Sequence, residues 1–186
     1  MCLLLSRSPG QRAYSENGQY LVAVRYPGQW HDIRDFVQPT DPDVVALCHR
    51  YGPDYWSLYD FVCREVSYRR DRGEFWQQPS ETLARQLGDC EDSAILLTSL
   101  IRAGGSPDAY VALGDYYGLG HAWCQHNRQI LETTFTWARP VSDPEHYELY
   151  CLFNDQTVVE LWPGALEELF ALRRDEATKL RLMAHG

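Results

Sequence analysis

The order of helical and strand-like segments predicts an α+β fold, in which N-terminal helices and a central buried helix pack on an antiparallel sheet. Apolar residues recur at helical spacing up to residue 103, and from residue 109 they follow the pattern of strands. Short turns separate the later segments, as is typical of antiparallel pairing. At roughly 100–200 residues per domain, the 186 residues predict a single domain over 1–186.

The first part of the chain, residues 1–40, is predicted to be irregular apart from one hairpin. Asn17-Gly18 is a favourable turn dipeptide, and short runs at 13–15 and 19–25 lie on either side of it. Two prolines and a glycine then interrupt the pattern before the first helix. We place the core of the domain at about residues 41–162.

Four helices are expected in this core. Proline at the first helical position favours helices at 42–51 and 79–88, and three- and four-residue apolar steps favour one at 54–68. The clearest helix covers 89–103, where Asp89 suits the N-cap and Asp92 can return a bond to it. Its residues leave almost no polar face, so we expect this helix to be central and buried.

Strands are predicted after the central helix, and an amphipathic C-terminal helix follows them at about 164–183. The predicted strands cover residues 109–113, 121–126, 129–135, 147–153 and 157–161. No internal repeat or linker divides the sequence.

Composition excludes several classes of function. The 26 acidic and 17 basic residues give a net charge of −9, which argues against nucleic acid as a partner and against a polybasic membrane surface. No apolar stretch approaches the roughly 20 residues of a membrane helix, and no export signal is readable at the N-terminus. We therefore expect a cytoplasmic protein.

Six cysteines are present, and no two form a Cys-x-x-Cys pair. This spacing gives no basis for a zinc ribbon or a thioredoxin-like site, and most of the thiols are expected to be buried. Cys90 differs from the others because it follows the Asp89 cap directly. In the first helical turn, unpaired amide groups and the helix dipole favour a thiolate.

An activated Cys90 needs a cationic partner, since the carboxylates beside it disfavour a thiolate. His121 is the best candidate, because an imidazole can hold the ion pair and later protonate a leaving group. Glu132 lies on the next predicted strand and can orient that imidazole. Asp115 or Asp143 are alternatives for this third role.

Several blocks of the sequence resemble the transglutaminase-like superfamily of cysteine enzymes. These blocks are residues 88–94 (GDCEDSA), 120–123 (GHAW) and 132–134 (ETT). Upstream, Asp71 and residues 75–83 (FWQQPSETL) are similar to the segment before the cysteine in the microbial protease-like branch. The family usually has Asp-x-Thr at the third block, so Glu132 adds one methylene that the strand spacing must absorb.

The resemblance implies a papain-like fold with a cysteine at a helix N-terminus and a histidine and an acid on adjacent strands. It implies Cys90, His121 and Glu132 as the catalytic residues of a peptidase or amidase that cleaves a protein or peptide through a thioester. The oxyanion site would combine the Cys90 amide with a donor from Trp76 or Gln77, which the sequence does not separate.

Alternatives stay open at this point. An amine in place of water would make the chain a transglutaminase. A non-catalytic interaction module could retain the fold, although such relatives usually lack the cysteine or the histidine. The related peptide N-glycanases act on glycosylated asparagine, but they normally carry zinc-binding cysteine pairs that this chain lacks.

Calcium is the one cofactor that the resemblance suggests. Some bacterial members of the protease-like branch bind it through acids around the same motif, and Asp89, Glu91 and Asp92 match those acids by type. Helix capping already accounts for Asp89 and Asp92, and three carboxylates within four residues are not a calcium loop. We therefore expect no cofactor and no bound metal.

Overall fold

A computed structural model describes residues 12–70 and 75–173, which fold into a helical layer packed on an antiparallel sheet. The elements, in chain order, are β1 (Arg12–Glu16), β2 (Gln19–Ala23), β3 (His31–Asp32), α1 (Pro42–Tyr51), α2 (Tyr55–Glu65), β4 (Ser67–Tyr68), α3 (Pro79–Arg85), β5 (Leu87–Gly88), α4 (Cys90–Ala103), β6 (Ala109–Tyr116), β7 (Leu119–His126), β8 (Gln129–Leu131), β9 (Tyr147–Phe153), β10 (Val158–Glu160) and α5 (165–173). None of the helices among these residues is long and apolar enough to cross a membrane.

The main sheet has five strands in the order β10-β9-β6-β7-β8, and every neighbouring pair is antiparallel. β6 pairs with β7 from Ala109↔His126 to Tyr116↔Leu119, and a bulge between Leu113 and Gly114 shifts its register with β9. Gly114 is required there, because a Cβ would lie 2.0 Å from the Glu148 carbonyl oxygen. The predicted antiparallel sheet and α+β class are confirmed.

The central helix α4 is buried from Cys90 to Ile101. Its start is defined by a reciprocal capping box between Asp89 and Asp92, as the spacing of these acids predicts. Gly88 precedes the cap, and a Cβ at that position would lie 2.6 Å from the Asp92 Cβ. The glycine therefore lets the chain turn tightly into the helix that carries Cys90.

Two apolar clusters lie on either side of α4. One contains Trp76, Phe153 and Phe170, and the other contains Leu58 and Leu97, all of them fully buried. Burying each such side chain stabilises the fold by about 1.5–3 kcal/mol. The helix and the sheet face that it covers therefore form the apolar core of the described chain.

Several of the described segments differ from the sequence predictions. Residues 12–36 are not irregular beyond the predicted hairpin, since β1, β2 and β3 form a three-stranded sheet that leads into a 3₁₀ turn at Ile33–Phe36. The second and third helices end earlier than predicted, because Ser67–Tyr68 pairs in parallel with Leu87–Gly88. This pairing takes the ends of both predicted helices into β4 and β5.

The predicted strand at 129–135 stops at Leu131. Beyond it the Glu132 carboxylate accepts hydrogen bonds from the amide and hydroxyl of Thr134, which turns the chain out of the sheet. The predicted strand at 157–161 is trimmed to Val158–Glu160. The C-terminal helix is helical over 165–173, and the rest of its predicted span, like Asp71, lies outside the described residues.

Candidate active site

Cys90 is the first residue of α4, and its side chain is almost completely buried, at 8% exposure. Burial raises the pKa of its thiol well above the ordinary value, and the charges of Glu91 and Asp89 raise it further. The thiol donates a hydrogen bond to Glu91 Oε2 at 2.9 Å. The surroundings of Cys90 therefore favour the neutral thiol over the thiolate.

His121 and Glu132 meet at the edge of the sheet formed by β7 and β8. Their Nε2 and Oε2 atoms lie 2.8 Å apart, with the histidine side chain 15% exposed and the carboxylate 2% exposed. The bond occupies Nε2 and leaves Nδ1 as the other ring nitrogen for a second partner. The structure thus brings together the two residues that the strand prediction paired.

The Glu132 carboxylate accepts hydrogen bonds on both oxygens. Thr134 donates to Oε1 from its amide and hydroxyl, while His121 and the hydroxyl of Tyr147 bond Oε2, the latter at 2.8 Å. Desolvation opposes ionisation of Glu132, but the bond to His121 and the two bonds from Thr134 hold its pKa below the ordinary value. An ionised acid is therefore fixed beside the imidazole.

An aromatic wall supports His121. The ring of Tyr147 packs edge-on against Trp123 at 5.1 Å between centroids and tilts against Tyr116 at 4.4 Å. Tyr116 and Trp123 lie 5.8 and 6.2 Å from the His121 ring. Trp123 is buried in this packing, at 1% exposure.

Arg173 of α5 joins the cysteine and histidine sides of the site. Its guanidinium forms an ion pair with Glu91, next to Cys90, and donates to the carbonyl oxygen of His121 at 3.0 Å. No hydrogen bond joins Cys90 directly to His121, both of which are described. The two residues share one neighbourhood without a bond between them.

The two predicted oxyanion donors differ in their surroundings. The backbone amide of Gln77 donates to Asp92 Oδ1, and its side-chain amide donates to Asp92 Oδ2 and to the Leu87 carbonyl. Trp76 is 1% exposed, and its indole N–H has no hydrogen-bond partner among residues 12–70 and 75–173. Of the two, only Trp76 has a donor that no acceptor of these residues already uses.

The alternative acids for orienting His121 lie elsewhere. Asp143 accepts hydrogen bonds from the hydroxyls of Tyr116 and Tyr117, and Asp115 is a β6 residue opposite Gly120 and Glu148. Neither is hydrogen-bonded to His121, which leaves Glu132 as its acid partner in this part of the chain.

The remaining cysteines of the described chain are buried free thiols. Cys124 lies on β7 with His121 but contacts Thr98 of α4, and burial raises its pKa to about 12. No group of three His, Cys, Asp or Glu side chains within 12–70 and 75–173 has the geometry of a metal site. Cys2 lies outside these ranges.

The acids around Cys90 are already engaged by protein donors. Asp92 accepts from Gln77 on both oxygens and from the Asp89 amide, and burial raises its pKa to about 7. Glu91 is buried, yet Arg173 and the Cys90 thiol hold its pKa low, at about 2. The cluster contains one acid that is paired with a cation and one that is held by amides.

Sequence reasoning missed Arg173 and Tyr147. Tyr147 begins a correctly predicted strand, but nothing local distinguishes it from the other eleven tyrosines. Arg173 belongs to an amphipathic helix in which basic residues are expected on the solvent face. Only the docking of α5 shows that this arginine faces inward.

Comparisons with known proteins find a matching family model and solved structures of similar fold. The family model described as the transglutaminase-like superfamily matches residues 55–129, a segment that contains Cys90 and His121. Calcium-bound LapG of Legionella pneumophila aligns with a TM-score of 0.53 and 16% identity, over 69% of this chain and 84% of LapG. The EGTA-treated form aligns with a TM-score of 0.50 and 16% identity, over 73% and 97%.

At these identities the likeness to LapG shows the fold. A search of curated proteins finds no match to this sequence. The predicted resemblance to the transglutaminase-like superfamily and the papain-like α+β fold are both confirmed.

Proposed function

We propose that this chain, whose residues 55–129 match the transglutaminase-like superfamily, is a cysteine peptidase or amidase acting on a protein or peptide. One observation carries the proposal: His121 is held through Nε2 by a buried, ionised Glu132, with Nδ1 left for a thiol. Cys90 at the N-terminus of α4 is the nucleophile. This is the arrangement of nucleophile, base and orienting acid used in acyl transfer.

In the first step, the Cys90 sulfur bonds to the amide carbonyl carbon while His121 takes the thiol proton. The carbonyl π electrons move to the oxygen, where the first-turn amide of Cys90 and the indole N–H of Trp76 are the donors we assign. When the C–N bond breaks, His121 gives its proton to the leaving amine, and the acyl group remains on sulfur as a thioester.

In the second step, water attacks the thioester carbon and His121 takes its proton. The C–S bond breaks, the sulfur regains a proton from His121, and a carboxylic acid leaves. Glu132 stabilises the imidazolium in both steps through its bond to Nε2. An amine in place of water would give an amide product, which is the transglutaminase alternative.

Calcium does not fit the acids around Cys90. LapG is described as calcium-bound, which raises the question for this chain. Both oxygens of Asp92 accept from Gln77, and both oxygens of Glu91 are used by Arg173 and Cys90. A calcium ion needs six to eight oxygen ligands, so it would have to break these contacts. No step of the mechanism uses it.

The decisive experiment is alkylation of the full chain by iodoacetamide at increasing pH, read by peptide mass spectrometry. We expect Cys90 to react faster than the other described cysteines near neutral pH, because His121 can take the proton of its thiol. His121→Ala should slow this reaction about 100-fold or more. Cys124 is the internal control, since it is buried on the same strand as His121 and lies against Thr98 instead.

A second candidate is a non-catalytic interaction module. The burial of Cys90 and its hydrogen bond to Glu91 favour this alternative. It would be supported if Cys90 reacts no faster than Cys124, or if His121→Ala changes nothing. With a reactive Cys90, dye-quenched casein and dansylcadaverine incorporation then distinguish hydrolysis from amine transfer.

A further inference from the structure

A buried arginine links the C-terminal helix to both sides of the candidate site. α5 is anchored by Leu166, Leu169 and Phe170, whose side chains are buried in the core. Arg173 lies four residues after Leu169 and three after Phe170, and therefore on the same face of the helix. Its side chain is 5% exposed, so the guanidinium is buried in the protein and largely out of contact with water.

The contacts of Arg173 are directed at two different elements. On α4 it forms an ion pair with Glu91, whose other oxygen accepts from the Cys90 thiol. On β7 it donates to the carbonyl oxygen of His121. Gly120 makes room for it, because a Cβ there would lie 2.7 Å from Nε and 2.8 Å from Cγ of Arg173.

Charge explains why a cation is needed at this point. Three acids occupy the cap and first turn of α4, and Glu91 is fully desolvated beside the sulfur. An unpaired carboxylate there would oppose both the fold and a thiolate on Cys90. A planar guanidinium can pair with the carboxylate and donate to a carbonyl oxygen at the same time.

We propose that Arg173 is a positioning residue that compensates Glu91 and fixes the main chain of His121, so that docking of α5 completes the active site. The inference rests on the proposed function and deepens it. Arg173 bonds Glu91 and the backbone of β7, and its charge also lowers the pKa of the Cys90 thiol against the effect of the neighbouring acids.

The test compares alkylation rates of Cys90 by iodoacetamide at pH about 7 in the full chain. The variants are Arg173→Lys, Arg173→Gln and Gly120→Ala, and the matched control is Arg102→Gln. Arg102 also has a largely buried side chain, at 7% exposure, and pairs with an acid, Asp155, but it lies at the other end of α4. A further variant, Arg173→Ala, is assayed with and without methylguanidinium, which can enter the space left by the side chain.

We expect Arg173→Gln and Gly120→Ala to react about tenfold more slowly, with Arg173→Lys in between and Arg102→Gln unchanged. Methylguanidinium should speed Arg173→Ala, a rescue that a lost packing contact would not give. Near-UV circular dichroism identifies any variant that has not folded, and Gly120→Ala keeps the arginine charge if the Arg173 variants fail.

Rates unchanged or faster in folded variants would overturn the inference, a faster rate meaning that Arg173 shields the thiol. Absence of methylguanidinium rescue together with equal slowing in Arg102→Gln would also overturn it, as a general stability effect. If Cys90 of the wild type is no more reactive than Cys124, the proposed function itself fails. This outcome is distinguishable from failure of the Arg173 inference, because it is seen in the wild type without any variant.

Discussion

The two sides of the candidate site are built differently. On the sheet side, His121 and Glu132 are joined by a 2.8 Å bond, and further donors hold the carboxylate ionised. On the helix side, the Cys90 thiol is buried, its pKa is raised, and its hydrogen bond goes to an acid. The sheet side holds an imidazole against an ionised acid, whereas the helix side holds its thiol neutral.

Under the proposed function, this difference indicates that activation has to occur at Cys90. Hydrogen bonds local to β7, β8 and β9 organise the base, so it needs no further change. A thiolate on Cys90 requires that the negative charge of Glu91 be neutralised. Arg173 of α5, which is distant from Cys90 in the chain, supplies the opposite charge. The sensitive part of the site is therefore its helix side.

The largest effect is expected on the sheet side, from Glu132→Gln. The amide would place an NH₂ group against one of the donors that now bond the carboxylate, so His121 would lose its fixed orientation. We expect the Cys90 alkylation rate at neutral pH to fall by up to about 100-fold, the loss expected for His121→Ala, because Glu132 acts through His121. Glu132→Asp is the matched control and should recover part of the rate, because it keeps the charge.

Glu91→Gln tests the helix side. It leaves the Arg173 guanidinium buried without its ion-pair partner, so we expect the free energy of unfolding in urea to drop by about 3 kcal/mol. It also removes a charge that raises the Cys90 pKa, so alkylation should be faster at a given pH.

The control for Glu91→Gln is Glu81→Gln, whose partner is Arg25 at a site where Glu81 is 29% exposed. Its expected cost is about 1 kcal/mol or less. Equal losses of stability in the two variants would contradict the view that the Arg173–Glu91 pair is special.

Tyr147→Phe removes one donor to Glu132 and should cost about 1 kcal/mol of stability near neutral pH. The native pKa of Glu132 is lower than that of an ordinary glutamate. Ionised Glu132 therefore stabilises the fold fully at any pH above the ordinary pKa, and this stabilisation is lost as the pH falls through the native pKa. The variant raises that native pKa, and the acid loss should therefore begin at a higher pH. Thermal melts from about pH 3 to 7 measure this, and identical curves for wild type and variant would exclude the role of Tyr147.

The smallest expected effect is that of metal removal. Because Asp92 and Glu91 already bond protein donors, EGTA should leave the alkylation rate and the melting temperature of the wild type unchanged. Titration with calcium in a thermal shift assay provides the converse measurement. A rise in melting temperature that EGTA reverses would contradict our reading of the acid cluster.

The agreement between sequence and structure is strongest where the signal is local. The Asp89–Asp92 capping box, the start of α4 at Cys90 and the span of β9 could all be predicted from adjacent residues. Predictions were wrong where partners are distant in the chain, as at Ser67–Tyr68, which pairs with Leu87–Gly88 instead of extending a helix. Helical periodicity there is outweighed by hydrogen bonds to a partner twenty residues away.

The candidate site divides in the same way. The sequence by itself determined that Cys90 begins a helix, and it favoured Glu132 over Asp115 or Asp143 as the partner of His121, because capping and strand adjacency are short-range. Only the tertiary structure decided that Arg173 faces Glu91 and that Tyr147 bonds Glu132. Those contacts depend on how α5 and β9 pack against the core. Packing between segments that are distant in the chain produces no periodic pattern in the sequence of either segment.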